Sequence, residues 1–282
     1  MRAMALGLAL LSSGAMASEW HHVTKPTSGE GSAIGSYANG CLSGGQPLPL
    51  DGEGYQVIRT SRERYYGHPN MITFLQDLGK RVNRAGIDDL LIGDISMPRG
   101  GNFVSGHQSH QTGLDADIWM LMADRKMSLQ ERESLSALNM VDLKNYRIQF
   151  KNWTEDHANI VRFAAEDVRV SRIFVHPVIK ETLCRGTWED RSWLRKIRPW
   201  YGHTSHMHVR LTCPQGDAYC KNQAAPPPGD GCGKELYSWR PKAPPKEQGQ
   251  QQSGVKELRG NQKPARVVKI KPQQCEAVLT GS

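Results

Sequence analysis

Two stretches of the chain alternate between apolar and polar residues, the pattern of a β-strand that buries one face. In residues 114–120 the apolar side chains lie on one face, and Asp115 and Asp117 lie on the other. Residues 206–211 repeat this pattern. The polar residues of this second strand are His206, His208 and Arg210. Groups that bind metals or move protons therefore project from two strands that lie far apart in the sequence.

Apolar spacing also predicts the elements around these strands. The predicted helices cover residues 71–84, 128–139, 154–168 and 177–184. Further strands are predicted at residues 55–60, 90–95 and 173–175. Residues 29–54 are rich in Gly, Ser and Pro, which favours a long irregular arm. This order predicts an α+β fold in which a small antiparallel sheet carries the site, flanked by helices and long disulfide-tied loops.

Polar residues mark how the predicted helices begin. Asn70 is the expected N-cap of the first helix, and Ser128 and Glu131 have the spacing of a capping box at the start of the second. His157 lies near the start of the third helix, where we expect it to be exposed.

Histidines and carboxylates converge on the start of the first alternating strand. His107 and His110 precede Asp115 and Asp117 in a segment punctuated by glycines. Imidazole nitrogens and carboxylate oxygens are zinc ligands, so the pattern predicts a zinc site that the second strand completes. Either both histidines of that strand bind the ion, or one binds it while the other stands over an open position, which is the arrangement we favour. Two neutral histidines and one carboxylate leave a net positive charge on zinc, which lowers the pKa of a bound water towards about 7.

The spacing of these residues resembles a known family. His110 followed seven positions later by Asp117, with a distant His206-x-His208, is similar to the LAS metallopeptidases, named for lysostaphin, D-alanyl-D-alanine metallopeptidases and sonic hedgehog. A longer match, to the penicillin-insensitive murein endopeptidases within that family, includes residues 106–115, 198–200 and 206–210.

The resemblance implies a set of roles and an activity. Zinc would be bound by His110, Asp117 and His208, with His206 as the catalytic histidine. The implied activity is that of a periplasmic zinc metalloendopeptidase, which uses metal-activated water to hydrolyse the D-alanyl–meso-diaminopimelyl cross-links of peptidoglycan. Such an enzyme is insensitive to penicillin because it has no penicillin-reactive serine.

Other polar residues have roles that the sequence leaves open. His107 is an auxiliary ligand or a ligand of a second ion, although residues 118–152 contain no histidine to complete a second site. His206 acts as a general base or stabilises the oxyanion. His203 supports the site or orients substrate, or else lies exposed in a loop, and Asp115 is a candidate to orient a ligand histidine.

Two arginines are candidates for substrate binding. The guanidinium groups of Arg198 and Arg210 form planar forks that bind a peptide carboxylate in a bidentate manner. The alternative for each is a surface ion pair, which we slightly favour.

Two other functions fit the same residues. A zinc D,D-carboxypeptidase or dipeptidase would use the same core but needs a free substrate carboxylate. A non-catalytic zinc-containing wall-binding protein would not turn substrate over. Nucleic-acid binding is disfavoured, because only the formal net charge of +8 suggests it and export removes the usual partner.

Composition suggests three regions. Residues 1–17 have the features of a cleavable signal peptide, and their apolar run is too short to span a bilayer, so no membrane anchor is expected. Residues 18–239 form the predicted zinc metallopeptidase domain, and residues 240–282 form a basic Pro/Gln-rich tail. The sequence leaves the oligomeric state open.

Six cysteines in an exported chain predict three disulfides. Cys213 and Cys220 are close enough in sequence to close a small loop. The resemblance implies the pairs Cys41–Cys275 and Cys184–Cys232, the first of which would tether the tail.

Overall fold

A seven-stranded mixed sheet carries the site in this computed structural model, which describes residues 19–241 and 269–281. In spatial order its strands are β12 (Ile197–Pro199), β11 (Val170–Val175), β13 (His206–Leu211), β8 (Asp115–Ala123), β7 (Asp89–Ile92), β5 (Tyr55–Val57) and β4 (Asp51–Gly52). The β11–β12 and β5–β7 pairs are parallel, and the other pairs are antiparallel. The α+β class is confirmed, and the sheet is larger than the small antiparallel one expected. Its edge strands β4 and β12 have two and three residues, too few to leave an alternating pattern in the sequence.

The central strands β8 and β13 place the polar residues of the site on one face. Asp117 pairs with His208, and Asp115 pairs with Arg210. Because successive side chains of a strand point to opposite faces, this register brings the polar residues of both strands together. The opposite face is apolar, and its fully buried side chains include Ala116, Ile118, Met207 and Val209. Burial of that apolar face therefore determines which face carries the site.

Helices pack on the apolar face of the sheet and against other parts of the fold. In chain order they are α1 (Pro69–Arg84), α2 (Leu129–Ser134), α3 (Glu155–Glu166), α4 (Pro177–Arg185), α5 (Lys234–Ser238) and α6 (Gln274–Thr280), and short 3-10 helices span Trp20–His22, Thr60–Arg62 and Ser192–Lys196. Helices α1 and α3 share one apolar core with β8 and β13. The capping box of Ser128 and Glu131 is confirmed. Helix α2 ends at Ser134 rather than near Asn139, because the backbone of Leu135 is extended, with ψ at 140°.

Histidines occupy helix starts in ways that the sequence did not predict. His68, not Asn70, is the N-cap of α1, and its Nδ1 accepts a hydrogen bond from the Asn70 backbone N–H at 3.1 Å. A proline at the first position of that helix has no N–H to satisfy. The exposed position expected for His157 is also wrong. His157 is buried, with Nδ1 accepting from the Thr154 backbone N–H at 3.0 Å and Nε2 donating to the Met120 carbonyl at 2.8 Å.

The segment expected to be an irregular arm contains a β-hairpin, formed by β1 (Ser32–Ser36) and β2 (Asn39–Ser43). Its small and glycine-rich sequence has low strand propensity, which concealed it. A Cβ atom at Gly40 would lie 2.2 Å from the Ile34 carbonyl oxygen and 2.6 Å from Thr112 Cγ2. The hairpin therefore packs tightly against the loop that precedes β8. Two shorter pairs are β3 (Gln46–Pro47) with β6 (Tyr66–Gly67) and β9 (Val141–Asp142) with β10 (Arg147–Ile148).

Two of the three disulfides join segments 234 and 48 positions apart, and the third closes a loop between residues 7 positions apart. They are Cys41–Cys275, Cys184–Cys232 and Cys213–Cys220, the pairs expected from the sequence and from the resemblance. The first attaches α6 to β2. The predicted signal peptide lies outside the described residues, and the predicted domain boundaries stay predictions. Among the residues described, no helix is both long and apolar enough to cross a membrane.

Candidate metal centre

His110 is fully buried, and its backbone lies in the left-handed region, with φ at 68°. That conformation costs a non-glycine residue about 1–2 kcal/mol, so other contacts must hold it. The backbone N–H of His110 donates to Asp115 Oδ2 at 3.0 Å, and its Nδ1 donates to the Ile95 carbonyl at 2.8 Å. In the neutral ring the proton is on Nδ1 and the lone pair is on Nε2, which faces Asp117. Burial opposes protonation of this ring, but Asp117 outweighs burial and raises the pKa of His110.

Potential ligand atoms of three side chains lie close to one another. Asp117 Oδ1 is 3.5 Å from His110 Nε2 and 3.5 Å from His208 Nδ1. His110 Nε2 and Asp117 Oδ1 are buried, and neither has a hydrogen-bond partner among the described residues, which is rare for buried polar atoms. Ligand atoms about 2.0–2.1 Å from a tetrahedral zinc lie about 3.3–3.4 Å apart, close to the observed separations. These two separations therefore fit a divalent metal held between Asp117 and either histidine.

His107 offers a second way to complete a metal site. Ligand atoms of His107, His110 and Asp117 all lie within 4.8 Å of one another. His107 Nε2 lies 3.5 Å from Asp117 Oδ2 but is closer, at 3.2 Å, to Asp94 Oδ2, to which it donates a hydrogen bond. The side chain of His107 is 24% exposed, compared with 8% for His208. His107 therefore approaches Asp117 from the more open side, where Asp94 engages it.

Asp115 lies behind this group and fixes the ring of His208. Its Oδ1 accepts hydrogen bonds from His208 Nε2 at 2.8 Å and from Arg210 Nε at 2.7 Å. An ionised carboxylate can only accept hydrogen bonds, so His208 carries its proton on Nε2 and keeps a lone pair on Nδ1. Burial opposes the charge of Asp115, but Arg210 and His208 outweigh burial and hold the pKa of this carboxyl well below its usual range.

Burial also sets the protonation state of His208. It lowers the pKa of His208 to about 4, against the opposing effect of Asp115. The ring is therefore neutral near pH 7, as a histidine must be to bind a metal. Asp115 thus fixes the tautomer of His208, and burial keeps its ring neutral. An unprotonated Nδ1 therefore faces Asp117.

His206 and His203 lie on the accessible side of the group. His206 Nε2 is 3.8 Å from Asp117 Oδ2, and the side chain of His206 is 21% exposed. The ring centroid of His203 is 4.9 Å from that of His206. Burial lowers the pKa of His203, and the neighbouring His206 lowers it further. The structure therefore brings the predicted catalytic histidine beside the candidate ligands and leaves it open to solvent.

The chain matches a family model described as penicillin-insensitive murein endopeptidase over residues 33–280. The chain belongs to this family. Similar proteins of the same name include one from Haemophilus influenzae, 53% identical over 224 residues that cover 78% of each chain. A relative from Klebsiella pneumoniae subsp. pneumoniae is 45% identical over 237 residues, covering 84% of this chain and 86% of its own. One from Salmonella arizonae is 45% identical over 223 residues, with coverages of 79% and 81%.

Membership in the penicillin-insensitive murein endopeptidase family makes the chain a hydrolase, and the matched region contains every candidate site residue.

Two arginines of this region are placed differently from expectation. Arg198 and Arg210 form the ion pairs that we slightly favoured, but both side chains are buried rather than at the surface. Arg198 pairs with Glu235, and Arg210 contacts Asp115 and donates through Nη1 to Gln223 Oε1 at 2.7 Å. Arg210 therefore supports Asp115 from behind.

Two residues near the candidate ligands, Asp94 and Arg64, were not predicted from the sequence. Asp94 Oδ2 accepts a hydrogen bond from Arg64 Nη1 at 2.8 Å in addition to the one from His107. These two partners outweigh burial and lower the pKa of Asp94 to about 2. The available signal was an aspartate near the end of the predicted apolar strand of residues 90–95. In the structure the Asp94 backbone carbonyl accepts from the Asp117 N–H at 2.9 Å.

Proposed function

We propose that this protein is a periplasmic zinc metalloendopeptidase that hydrolyses D-alanyl–meso-diaminopimelyl cross-links of peptidoglycan. The proposal rests above all on two buried atoms without hydrogen-bond partners among the described residues, His110 Nε2 and Asp117 Oδ1, with His208 Nδ1 beside them. Family membership and the names of the relatives support murein as the substrate. The choice of cross-link follows from the resemblance of the motif residues to that family.

In this proposal His110, Asp117 and His208 hold one zinc ion, and a second ion is not required. Zinc bound by two neutral histidines and one carboxylate supplies a Lewis acid that polarises a scissile carbonyl and lowers the pKa of water to about 7. Asp115 keeps the His208 ring in the tautomer and orientation that binding needs. All three ligand side chains are buried, so substrate approaches from the side of His206.

His206 acts as the general base or as an oxyanion stabiliser during hydrolysis. Its Nε2 faces Asp117 from the accessible side, where a scissile carbonyl and an attacking water would lie in this proposal. His206 takes the proton from that water and returns it to the leaving amine, or stabilises the charge on the carbonyl oxygen as an imidazolium. A cysteine nucleophile is not available, because all six cysteines form disulfides.

Two features support the periplasm as the place of action. Residues 1–17 have a charged start, an apolar run and a small-residue cleavage site, as export signals do. Three disulfides suit an oxidising compartment outside the cytosol.

The test is chromatography of purified cross-linked muropeptide dimers after incubation with the protein lacking residues 1–17. Parallel samples contain a chelator, a chelator followed by zinc, the variant His206→Ala, and the matched control His21→Ala, which changes an exposed histidine of the first 3-10 helix. We expect conversion of dimers to monomers by the untreated, zinc-restored and His21→Ala samples, and not by the chelated or His206→Ala samples.

Other outcomes would assign a different function. Release of terminal D-alanine from intact dimers would show a carboxypeptidase. Tight zinc binding without any product would show a wall-binding protein. Full activity in the presence of the chelator would reject the metal mechanism.

A further inference from the structure

Lys271 connects the C-terminal described segment, residues 269–281, to the loop that carries the candidate ligands. Its Nζ donates to the Gly40 carbonyl at 2.7 Å and to Gln111 Oε1 at 2.7 Å. The ammonium group also lies 5.2 Å from the ring centroid of Trp20. Both hydrogen-bond acceptors are neutral oxygens, so this lysine does not serve as one half of an ion pair with them. It bridges strand β2 of the hairpin and the metal loop.

Gln111 follows His110 directly and is held from several directions. Its Oε1 also accepts a hydrogen bond from the Gly40 backbone N–H at 3.1 Å, and its Nε2 donates to the Gln108 carbonyl at 2.9 Å. The Gln111 backbone N–H donates to the Tyr37 carbonyl at 3.2 Å. The side chain of Gln111 thus closes the turn that contains His110 and attaches this turn to the hairpin.

His110 needs such support because of its left-handed backbone. A residue in a sparsely populated conformation keeps it only when its surroundings over-determine it. Asp115 and Ile95 fix the N–H and the ring of His110 itself. Gln111 is the residue on the C-terminal side of His110. The Gly101 N–H donates to the Gln111 backbone carbonyl at 3.0 Å, and Lys271 holds the Gln111 side chain from the C-terminal segment.

The segment that carries Lys271 is firmly attached to the rest of the protein. The disulfide Cys41–Cys275 joins it to β2. Asn39 Nδ2 donates to the Ile270 carbonyl at 2.8 Å. Arg99 Nη1 donates to two carbonyls at the end of α6, at 3.0 and 2.8 Å. Lys271 therefore projects from a segment that is itself fixed in place, and we call its contact with Gln111 a brace.

We propose that Lys271 is a positioning residue for the metal site, which acts through Gln111 to hold His110 in its ligand geometry. This inference rests on the zinc site of the proposed function. Groups that support a metal ligand change metal affinity by about 10–100-fold when removed. Because Lys271 acts one residue away from the ligand, we expect its removal to weaken zinc binding by about tenfold, at the lower end of that range.

The experiment compares the wild-type protein with Lys271→Met, Lys271→Arg and the matched control Lys269→Met. Methionine keeps the length of the side chain but removes the donors, and arginine restores donors and charge. Lys269 is exposed on the same segment. Zinc affinity is measured by competition with a chelating indicator, the ligand geometry by the visible absorption of the cobalt(II) form, and folding by thermal melting of the metal-free proteins.

We expect Lys271→Met to bind zinc about tenfold more weakly, with an altered cobalt spectrum and a metal-free melting temperature close to that of the wild type. Lys271→Arg and Lys269→Met should retain wild-type affinity and spectrum. If Lys271→Met does not fold, Lys271→Gln, which keeps one donor group, replaces it in the same comparison.

Equal zinc affinity and equal cobalt spectra for Lys271→Met and the wild type would overturn the inference, since Lys271 would then only dock the C-terminal segment. Failure of the wild type itself to bind zinc or cobalt would reject the metal site of the proposed function. The two failures are therefore distinguishable.

Discussion

The ion pair between Asp115 and Arg210 allows a quantitative test of how the site is supported. Asp115 is fully buried and accepts hydrogen bonds from Arg210, His208 and the His110 backbone. The substitution Asp115→Asn keeps the shape of the side chain but removes its charge, which leaves the buried guanidinium of Arg210 without an anion. Removing one partner of a buried ion pair costs about 3–5 kcal/mol of unfolding free energy.

This cost is large enough to measure by urea denaturation of the metal-free protein. With an m-value of about 3 kcal/mol per molar, a loss of 3–5 kcal/mol lowers the midpoint by about 1–1.7 M. Zinc affinity should fall as well, by about 10–100-fold, because His208 loses the acceptor that fixes its tautomer.

A double-mutant cycle decides whether the ion pair is the cause. In Asp115→Asn combined with Arg210→Met, no buried charge is left unpaired, so the double variant should be less destabilised than the sum of the single variants by about 2–3 kcal/mol. Losses that add to within about 0.5 kcal/mol would refute the reasoning, because Asp115 and Arg210 would then act independently.

Three further results are expected. First, in competition with a chelating indicator, His208→Ala should lower zinc affinity more than about 100-fold, and His107→Ala should lower it about tenfold. The effect of His107 is smaller because its Nε2 is hydrogen-bonded to Asp94, whereas Asp115 holds His208 with its Nδ1 free. The reverse order would make His107 the third ligand. Second, zinc at about 1,000 times its dissociation constant should stabilise the protein by about 4 kcal/mol in urea titrations, and the same zinc concentration should stabilise His208→Ala by no more than about 1.4 kcal/mol. Third, burial lowers the pKa of His176 to about 4, so the unfolded chain binds this proton more readily and stability falls as the pH drops from 6.5 towards 4. The variant His176→Asn keeps a cap for the Val178 N–H but has no proton to bind. Between pH 7 and pH 4.5, urea titrations should show that its unfolding free energy falls by about 2 kcal/mol less than that of the wild type. Equal losses in both proteins would contradict the assignment.

The strand pattern was sufficient to bring the candidate site together. A period of two assigns each residue to a face, and the apolar face can be buried in only one way, so Asp115, Asp117, His206 and His208 had to share the polar face. The class of fold followed from the same periodicities. These features are local in sequence, and sequence reasoning captures them well.

The remaining features depend on contacts between distant segments. Asp94 joins the site because its strand lies beside β8, and Lys271 does so because a disulfide returns its segment to the hairpin. The hairpin itself consists of small residues whose strand conformation depends on close packing against Thr112. His157 is buried because Met120 offers its carbonyl to the ring, which the helical pattern alone does not reveal.

The brace that Lys271 provides also sets the order in which the protein matures. Gln111 and Lys271 are separated by 160 positions, and the cysteines that anchor the segment are separated by 234. A chain made from its N-terminus therefore has all its candidate metal ligands long before the brace exists. Disulfide formation needs an oxidising compartment, so an exported hydrolase of the proposed function would complete its metal loop only after it has left the reducing interior of the cell.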